Sequence, residues 1–428
     1  MKDLKIVFIG AGSMCFGTAM FKDIFRNEKM RGATLGLVDI NGTNLDRMYR
    51  LAVRMNEVTG MDLRLERSAE RRDLLPGAGF VINSLAIDRL KYWRQDFEVP
   101  RKYGVRHCLG ENGGPGALYF TMRTLPVVLD IARDMEELCP DAYFLNFSNP
   151  ETRLILGLSM YSKVKCVGLC HGIDDIRRYL GIILGMDADD IVVTGAGMNH
   201  FQWLQSIRRA KTGEDLYPLL RERDKTFDPA VEPYLRKLFR IFGLFPTCSD
   251  THTGEYQAYG WEAGEEGCDF DLAAASMLEY EKNIEDMIGG KDDVRKLLVP
   301  SGERAIDLVC AIHYDEKKYF PAAIVYNGGA MRQLPDDVAV EIPIMADGGG
   351  VHKIVPPDLP DGIIGLLNNQ VSAQRMSVRA AAMGSKELAY QALLCDPVIN
   401  STEAAKKIND ELFEINRQYI RNCIGRNT

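Results

Sequence analysis

Residues 5–14 read Lys5-Ile6-Val7-Phe8-Ile9-Gly10-Ala11-Gly12-Ser13-Met14. The run from Ile6 to Ile9 is β-branched and aromatic, as a buried parallel strand is, and it stops at two glycines one residue apart. Beyond them a helical pattern begins. Strand, tight turn, helix is the phosphate-binding unit of dinucleotide folds. Gly10 lets the chain turn and Gly12 lets the backbone approach a pyrophosphate. Ser13 and Met14 then open a helix whose free N–H groups and dipole favour negative charge. Cys15 stands where the usual G-x-G-x-x-G has its third glycine, so a purely structural glycine turn competes with this reading.

A second apolar run, Thr34 to Val38, ends at Asp39. A carboxylate there can accept hydrogen bonds from an adenosine ribose, and it selects NAD over NADP because a 2′-phosphate would be repelled. The plainer alternative is an Asp that starts a turn with Asn41 and Gly42. Further short apolar runs at 80–83, 143–147, 166–169 and 191–194 alternate with helical segments, which predicts a Rossmann-type, doubly wound parallel α/β sheet. One separator, residues 121–138, sets Leu125, Val128, Leu129, Ala132 and Met135 at helical spacing, so one face should pack on the sheet.

After about residue 200 the pattern loosens. Charged helical stretches are expected at 216–239 and 279–288, and a Pro- and Gly-rich stretch at 335–365. Residues 338–342 form a β-branched run stopped by Pro343, which suits a sheet edge. Residues 368–395 read as one long alanine-rich helix, and residues 403–419 as a final amphipathic one. The division expected is 1–195 as a NAD-binding domain and 196–428 as an α+β domain carrying substrate, metal and oligomer surfaces.

Composition narrows the partner. Of 428 residues 46% are hydrophobic and 26% charged, the balance of a chain with a large core. A net charge of −8 offers no basic stripe for phosphates, so nucleic acid is a poor partner and a small molecule a better one. No window approaches a membrane span. Met1-Lys2-Asp3-Leu4-Lys5 runs straight into the first strand without the pattern of a secretory signal. The ten cysteines are scattered without C-x-x-C pairs, which fits reduced thiols in a cytoplasm.

The chemistry sits further on. Cys170-His171-Gly172 ends one predicted strand, and Asn199-His200-Phe201 follows the next after a Gly195-Ala196-Gly197 turn. If both strands join the parallel sheet, both motifs face the crevice where such sheets bind ligands. A thiolate and an imidazole are good ligands for a borderline divalent ion such as manganese, iron or cobalt, with substrate oxygens completing the shell. Taken singly, a cysteine at a strand end is more often core, and a lone histidine more often satisfies a local hydrogen bond.

Taken together, Gly10-Ala11-Gly12-Ser13, Gly110-Glu111-Asn112-Gly113-Gly114-Pro115-Gly116, Asn149-Pro150, Cys170-His171-Gly172 and Gly197-Met198-Asn199-His200-Phe201 resemble the family 4 glycoside hydrolases. Asn327-Gly328-Gly329 and Val340-Glu341-Ile342-Pro343 extend the likeness over most of the chain. Members of that family depart from the usual two-carboxylate mechanism. The resemblance implies a lactate/malate dehydrogenase-like architecture, bound NAD, a divalent metal with Mn²⁺ foremost, and a homodimer or homotetramer. It implies a redox-neutral cleavage, in which NAD⁺ oxidises the sugar at C3 and so acidifies the C2 proton. A metal polarises the ketone and stabilises the enediolate, the glycosidic oxygen leaves, water adds, and NADH returns the hydride.

Carried over residue by residue, the resemblance makes Cys170 and His200 metal ligands and Asn149 a contact to sugar hydroxyls, with Asn112 and Asn199 in flanking motifs as further substrate-binding candidates. Glu111 stands where the family often has an acid in a G-D-T-x-G-P-G pattern, so it is a sugar-binding or proton-transfer candidate, or an anchor for its own glycine loop. His171 takes the position of a proposed general acid in some members, or else orients Cys170. For the base, family members point to either a tyrosine or an aspartate, which makes Asp250 and Tyr256 the choices here, with His252 beside them. The C-H-G wording is similar to members acting on α-glucuronides or α-galacturonides, and a uronate needs a cation such as Arg89, Arg94 or Arg123. A neutral α-glucosidase or α-galactosidase is the nearest alternative. A 2-hydroxy acid dehydrogenase and a non-catalytic NAD-binding protein are the rivals of other classes.

Overall fold

The computed structural model describes residues 3–425; Met1 and Lys2, which open the stretch read for a secretory signal, lie outside them. Six strands form the parallel half of the sheet: β1 Lys5–Ile9, β2 Thr34–Val38, β3 Arg64–Ser68, β4 Phe80–Asn83, β5 Tyr143–Asn146 and β6 Lys165–Gly168. Their spatial order is β3-β2-β1-β4-β5-β6, so the winding direction reverses between β1 and β4. The central strands β1, β2 and β4 are short and apolar on both faces because helices cover both. Two buried clusters result, one including Phe8, Leu37 and Ile82, the other Val7, Val81 and Phe144. The doubly wound parallel sheet expected for the first half is present.

The sheet does not end at β6. It continues through β7 Ile191–Met198, β8 Phe201–Arg209, β9 Phe245–Pro246, β10 Lys318–Tyr326, β11 Ala339–Asp347 and β12 Gly350–Lys353, in the order β6-β10-β11-β7-β8-β9 with β12 beside β11. All of these pairings are antiparallel. The run at 191–194 therefore does not join the parallel part. It forms a hairpin with β8, which a two-residue connection permits and a parallel crossover does not. Gly195, Ala196 and Gly197 are strand residues and not the expected turn. A Cβ on Gly195 would lie 2.9 Å from the Trp203 carbonyl oxygen, and one on Gly197 2.8 Å from the Gln202 Cα, so these glycines serve close strand approach.

Pro343 is likewise interior and not at an edge or a stop. It lies opposite a bulge in β10, where pairing jumps from Phe320–Ile344 to Ala323–Ile342, so the ladder needs no N–H from it. The long helix expected over 368–395 is two, Asp361–Met383 and Lys386–Cys395. Gly384 takes a left-handed φ of 63° that ends the first, and the Ser385 hydroxyl accepts from the Leu388 N–H to start the second. Residues 216–239 also divide, into helices Tyr217–Asp224 and Pro233–Phe242. The three C-terminal helices, the last being Thr402–Asn416, return to pack on the first half, against helices Arg89–Lys102, Gly114–Leu138 and Glu151–Tyr161. Among the described residues no helix is long and apolar enough to cross a membrane.

Candidate active site

The nucleotide end is built from backbone. Gly10 has a φ of 83°, and a Cβ there would lie 2.8 Å from the Leu85 nitrogen. Gly12 donates its N–H to Asp39 Oδ2 at 2.8 Å, while Asn41 donates to Oδ1 at 2.8 Å. Asp39 thus braces the glycine loop and starts a turn, and it stays partly exposed. Ser13 caps the helix Met14–Ile24, accepting from the Phe16 N–H. Met14 is buried at its first position. The close packing that a third glycine provides falls to Gly17, where a Cβ would sit 2.6 Å from Met48 Cε; Cys15 is exposed.

The other end is built from side chains. Beyond β6, His171 precedes the helix Gly172–Leu184, and the Gly172 N–H points at the Cys170 sulfur from 3.4 Å. A backbone donor at a helix start favours thiolate. Between β7 and β8 the two-residue turn Asn199-His200 carries His200 at a left-handed φ of 58°, which for a non-glycine residue costs on the order of 1 kcal/mol. That turn sets His200 Nε2 3.3 Å from Cys170 Sγ. Burial pushes the Cys170 thiol far up and holds His200 far below its usual value. Neutral imidazole is the ligating form, and a divalent cation held there would stabilise the thiolate and so release the thiol proton to solvent.

Among the described residues no group of three or more His, Cys, Asp or Glu side chains is arranged to hold a metal. Cys170 and His200 form a pair, sulfur and nitrogen, that suits a borderline divalent ion and leaves most of its shell for other oxygens. The pair lies beyond the carboxyl end of β6, in the region where parallel sheets bind ligands.

Glu111 approaches from the loop 110–116. It is buried and ion-paired to Arg89, with Asn112 Nδ2 3.3 Å from its Oε2. Burial opposes ionisation, but Arg89, His252 and Asn149 together hold Glu111 below the usual carboxylate range. His252 stands edge-on to His200 with ring centroids 4.6 Å apart, and its Nδ1 is 2.9 Å from Ser249 Oγ. Arg89 also lies within charge range of Cys15, which brings the nucleotide loop and Glu111 to one cleft.

Family models match nearly the whole chain: "Family 4 glycosyl hydrolase" over residues 5–186 and "Family 4 glycosyl hydrolase C-terminal domain" over 195–399. The chain belongs to family 4 of the glycosyl hydrolases. It is 30% identical to an alpha-glucosidase of Erwinia rhapontici, over 97% of this chain and 98% of that protein. It is 26% identical to an alpha-galacturonidase of Thermoanaerobacter italicus, over 98% of both. A 6-phospho-alpha-glucosidase from gut microorganisms, solved in complex with NAD and Mn²⁺, has the same fold, with a TM-score of 0.86 at 20% identity over 98% of this chain and 99% of that one.

In this family 4 glycosidase the residues singled out from the sequence separate by location. Cys170, His200, Glu111, Asn112 and Asn149 converge, and His171 borders them. His171 Nδ1 is 3.1 Å from Glu303 Oε1, and this contact, more than any other, raises its affinity for a proton. Tyr256 is buried on Phe201, ring centroids 5.2 Å apart, and donates its hydroxyl to the Asn199 carbonyl at 3.1 Å. Asn199 is buried and donates its backbone N–H to Thr152 Oγ1 at 3.2 Å.

Asp250 is engaged elsewhere, for its carboxylate accepts the N–H groups of Tyr234 at 3.1 Å and Leu235 at 2.8 Å and caps the helix Pro233–Phe242. Of the cations weighed, Arg123 is buried against Asp96 and Arg94 pairs with exposed Asp271, which leaves Arg89 alone at the cleft.

Several residues at the site carried little signal. Glu151 opens a buried helix directly after Asn149-Pro150, and burial with Glu341 and Glu303 nearby pushes it far up. Burial likewise pushes Glu341 up to about 8. Cys248 faces Gly172, where an added Cβ would lie 3.0 Å from its sulfur and 3.6 Å from that of Cys170. An acidic residue inside an apolar run was the clue to Glu341, and position directly after Asn149-Pro150 the clue to Glu151.

Proposed function

We propose that this glycosidase cleaves α-linked uronides, an α-galacturonide or an α-glucuronide, with bound NAD and a divalent ion, Mn²⁺ foremost. The observation that carries the reading is the sulfur–imidazole pair, Cys170 Sγ 3.3 Å from His200 Nε2, in a cleft with Glu111, Arg89 and Asn149. Gly10, Gly12 and the helix start at Ser13 and Met14 would cradle the pyrophosphate, and Asp39 the ribose. The dinucleotide supplies reversible hydride transfer when bound, and the ion supplies Lewis acidity.

The chain's own residues do the rest. Asn149 and Asn112 orient sugar hydroxyls, with Asn199 behind them. Glu111 anchors the sugar through its ionised carboxylate. The proton at C2 is assigned to Tyr256, whose buried hydroxyl lies on the Asn199 carbonyl beside His200, over Asp250, whose carboxylate is turned to two backbone N–H groups of another helix. His171, backed by Glu303, would give a proton to the leaving oxygen. Arg89, half-exposed at the cleft, would meet the uronate. That Arg89 already pairs with Glu111 favours a second reading, a neutral α-glucoside or α-galactoside.

Aryl α-glycosides and small α-uronides, each with NAD⁺, Mn²⁺ and a thiol reductant in heavy water, separate these readings. Turnover of uronides with deuterium at C2 is expected, lost in Tyr256→Phe and kept in Asp250→Ala. Turnover confined to neutral sugars would move the assignment to the second reading, and net NADH release from a 2-hydroxy acid would end both. Ten free cysteines support a reducing cytoplasm as the setting. Light scattering should find a homodimer or homotetramer.

A further inference from the structure

We propose that Glu255 is a positioning residue, which collects the backbone N–H groups of Glu111, Asn112 and Gly113 on one carboxylate oxygen and so sets where Glu111 and Asn112 stand in the site. Its Oε1 accepts from Asn112 at 2.8 Å, from Gly113 at 3.4 Å, and from Glu111. Successive N–H groups turned to one point form a nest for an acceptor oxygen, and here that oxygen belongs to the chain itself. Gly113 lies so close to the Glu255 main chain that any Cβ there would collide with the Glu255 carbonyl oxygen. The two segments therefore touch through backbone as well as through the carboxylate.

What Glu255 joins gives the contact its consequence. On one side is the loop whose Glu111 pairs with Arg89 and faces His252. On the other is the segment 249–257, which carries His252 three residues before Glu255 and Tyr256 directly after it. That segment is braced further, to the chain just before the loop by Cys108 Sγ on the Thr251 carbonyl at 3.0 Å, and internally by Thr253 Oγ1 on the Thr247 carbonyl at 2.6 Å. Glu255 is thus the polar link made to the loop's own N–H groups, and it fixes the acidic loop relative to the histidine and the tyrosine.

Charge opposes this arrangement, and the three backbone N–H groups offset it. Burial, then the neighbouring Glu111, pushes Glu255 up to about 8. Arg153 supplies the opposing charge. It is 1% exposed, none of its three guanidinium nitrogens has a hydrogen-bond partner among the described residues, and its nearest carboxylate oxygen, on Asp396, is 3.9 Å away. Its charge is felt by both Tyr256 and Glu255.

The kinetic arm of the test rests on the glycosidase reading; the exchange arm does not. Amide hydrogen exchange over residues 110–116 is followed in the full chain with NAD, for wild type, Glu255→Ala and Glu255→Gln, beside kcat, KM and NAD affinity. In Glu255→Ala exchange in the loop should rise about tenfold or more and kcat fall about 10- to 100-fold, the scale of losing hydrogen bonds to a carboxylate, with NAD affinity unchanged. Glu255→Gln should restore both, because an amide oxygen can accept the same three N–H groups.

Wild-type exchange in the loop of Glu255→Ala overturns the proposal, as does loosened exchange with unaltered kcat and KM, or a Gln variant as impaired as the Ala one. Should Glu255→Ala not fold, Glu255→Gln near wild type with Glu255→Asp impaired supports it, and any other pattern overturns it. If wild type turns over no glycoside, the proposed function has failed and the exchange arm alone decides.

Discussion

The nucleotide end and the metal-and-sugar end of the cleft are assembled by opposite means. Gly10, Gly12, Ser13 and Asp39 fall within thirty residues, on one strand-turn-helix and the strand beside it, and their contacts are largely backbone ones. Cys170, His200, Glu111, Arg89, His252 and Glu303 come from six separate segments, and it is their side chains that face one another. A backbone site depends on local spacing and tolerates exchange of one glycine for another position, as Gly17 does for Cys15. A side-chain site depends on how distant strands are registered. The two ends should therefore be separable by mutation, each losing its own ligand and keeping the other's.

The sharpest separation is at Cys170. Cys170→Ser, or removal of the ion from wild type by a chelator, should cut turnover about 1000-fold or more, the several kcal/mol that Lewis-acid stabilisation supplies. NAD affinity by fluorescence titration should stay within about twofold of wild type. A parallel loss of NAD binding would break the comparison.

The reciprocal change is Gly12→Ala. An added Cβ would lie 2.6 Å from Asp39 Oδ2, so the loop must shift and the pyrophosphate approach is lost. NAD affinity should fall about 10- to 100-fold, with Mn²⁺ binding by electron paramagnetic resonance unaltered.

Arg89 lies between the two ends and tests the substrate. With Arg89→Met, kcat/KM on a uronide should fall about 10- to 100-fold and on a neutral glycoside only a few-fold, since only the first loses a charged hydrogen bond. Equal losses on both would leave Arg89 as a partner of Glu111 and nothing more.

The smallest effect concerns stability and sets the sugar side apart again. His107 lies under the glycine loop, stacked on Phe97, with Nε2 2.9 Å from the Phe97 carbonyl, and burial holds its pKa down to about 4. The unfolded chain, with an ordinary histidine near 6.5, binds more protons than the folded one between those values, so stability falls as pH falls through that window. From pH 7 to 5 this single group should cost wild type about 2 kcal/mol relative to His107→Gln, measured by denaturant unfolding of both. Equal slopes for the two proteins would show that His107 is not the cause.

How much could be read in advance follows the same division. Five residues of strand, two glycines and a capped helix were enough for the dinucleotide half, because each step of that unit is local. The second half was misread wherever glycine or proline carries a tertiary meaning. Gly195 and Gly197 resemble a turn but allow strands to approach, and Pro343 resembles a strand's end but lies opposite a bulge. Asp250 and Tyr256 could not be told apart from their spacing. Only the folded chain turns the Asp250 carboxylate onto a helix start and sets the Tyr256 hydroxyl beside Asn199.

The sequence by itself determined the family, the doubly wound sheet and the nucleotide turn, since motifs and short-range periodicity survive in one dimension. Tertiary structure alone decided that β7 leaves the parallel sheet, that Arg89 and not Arg94 or Arg123 reaches the cleft, and that Glu255 ties the 110–116 loop to the segment 249–257. Those outcomes depend on strand register and on which buried charges find partners, and both are settled only when residues far apart in the chain are packed together.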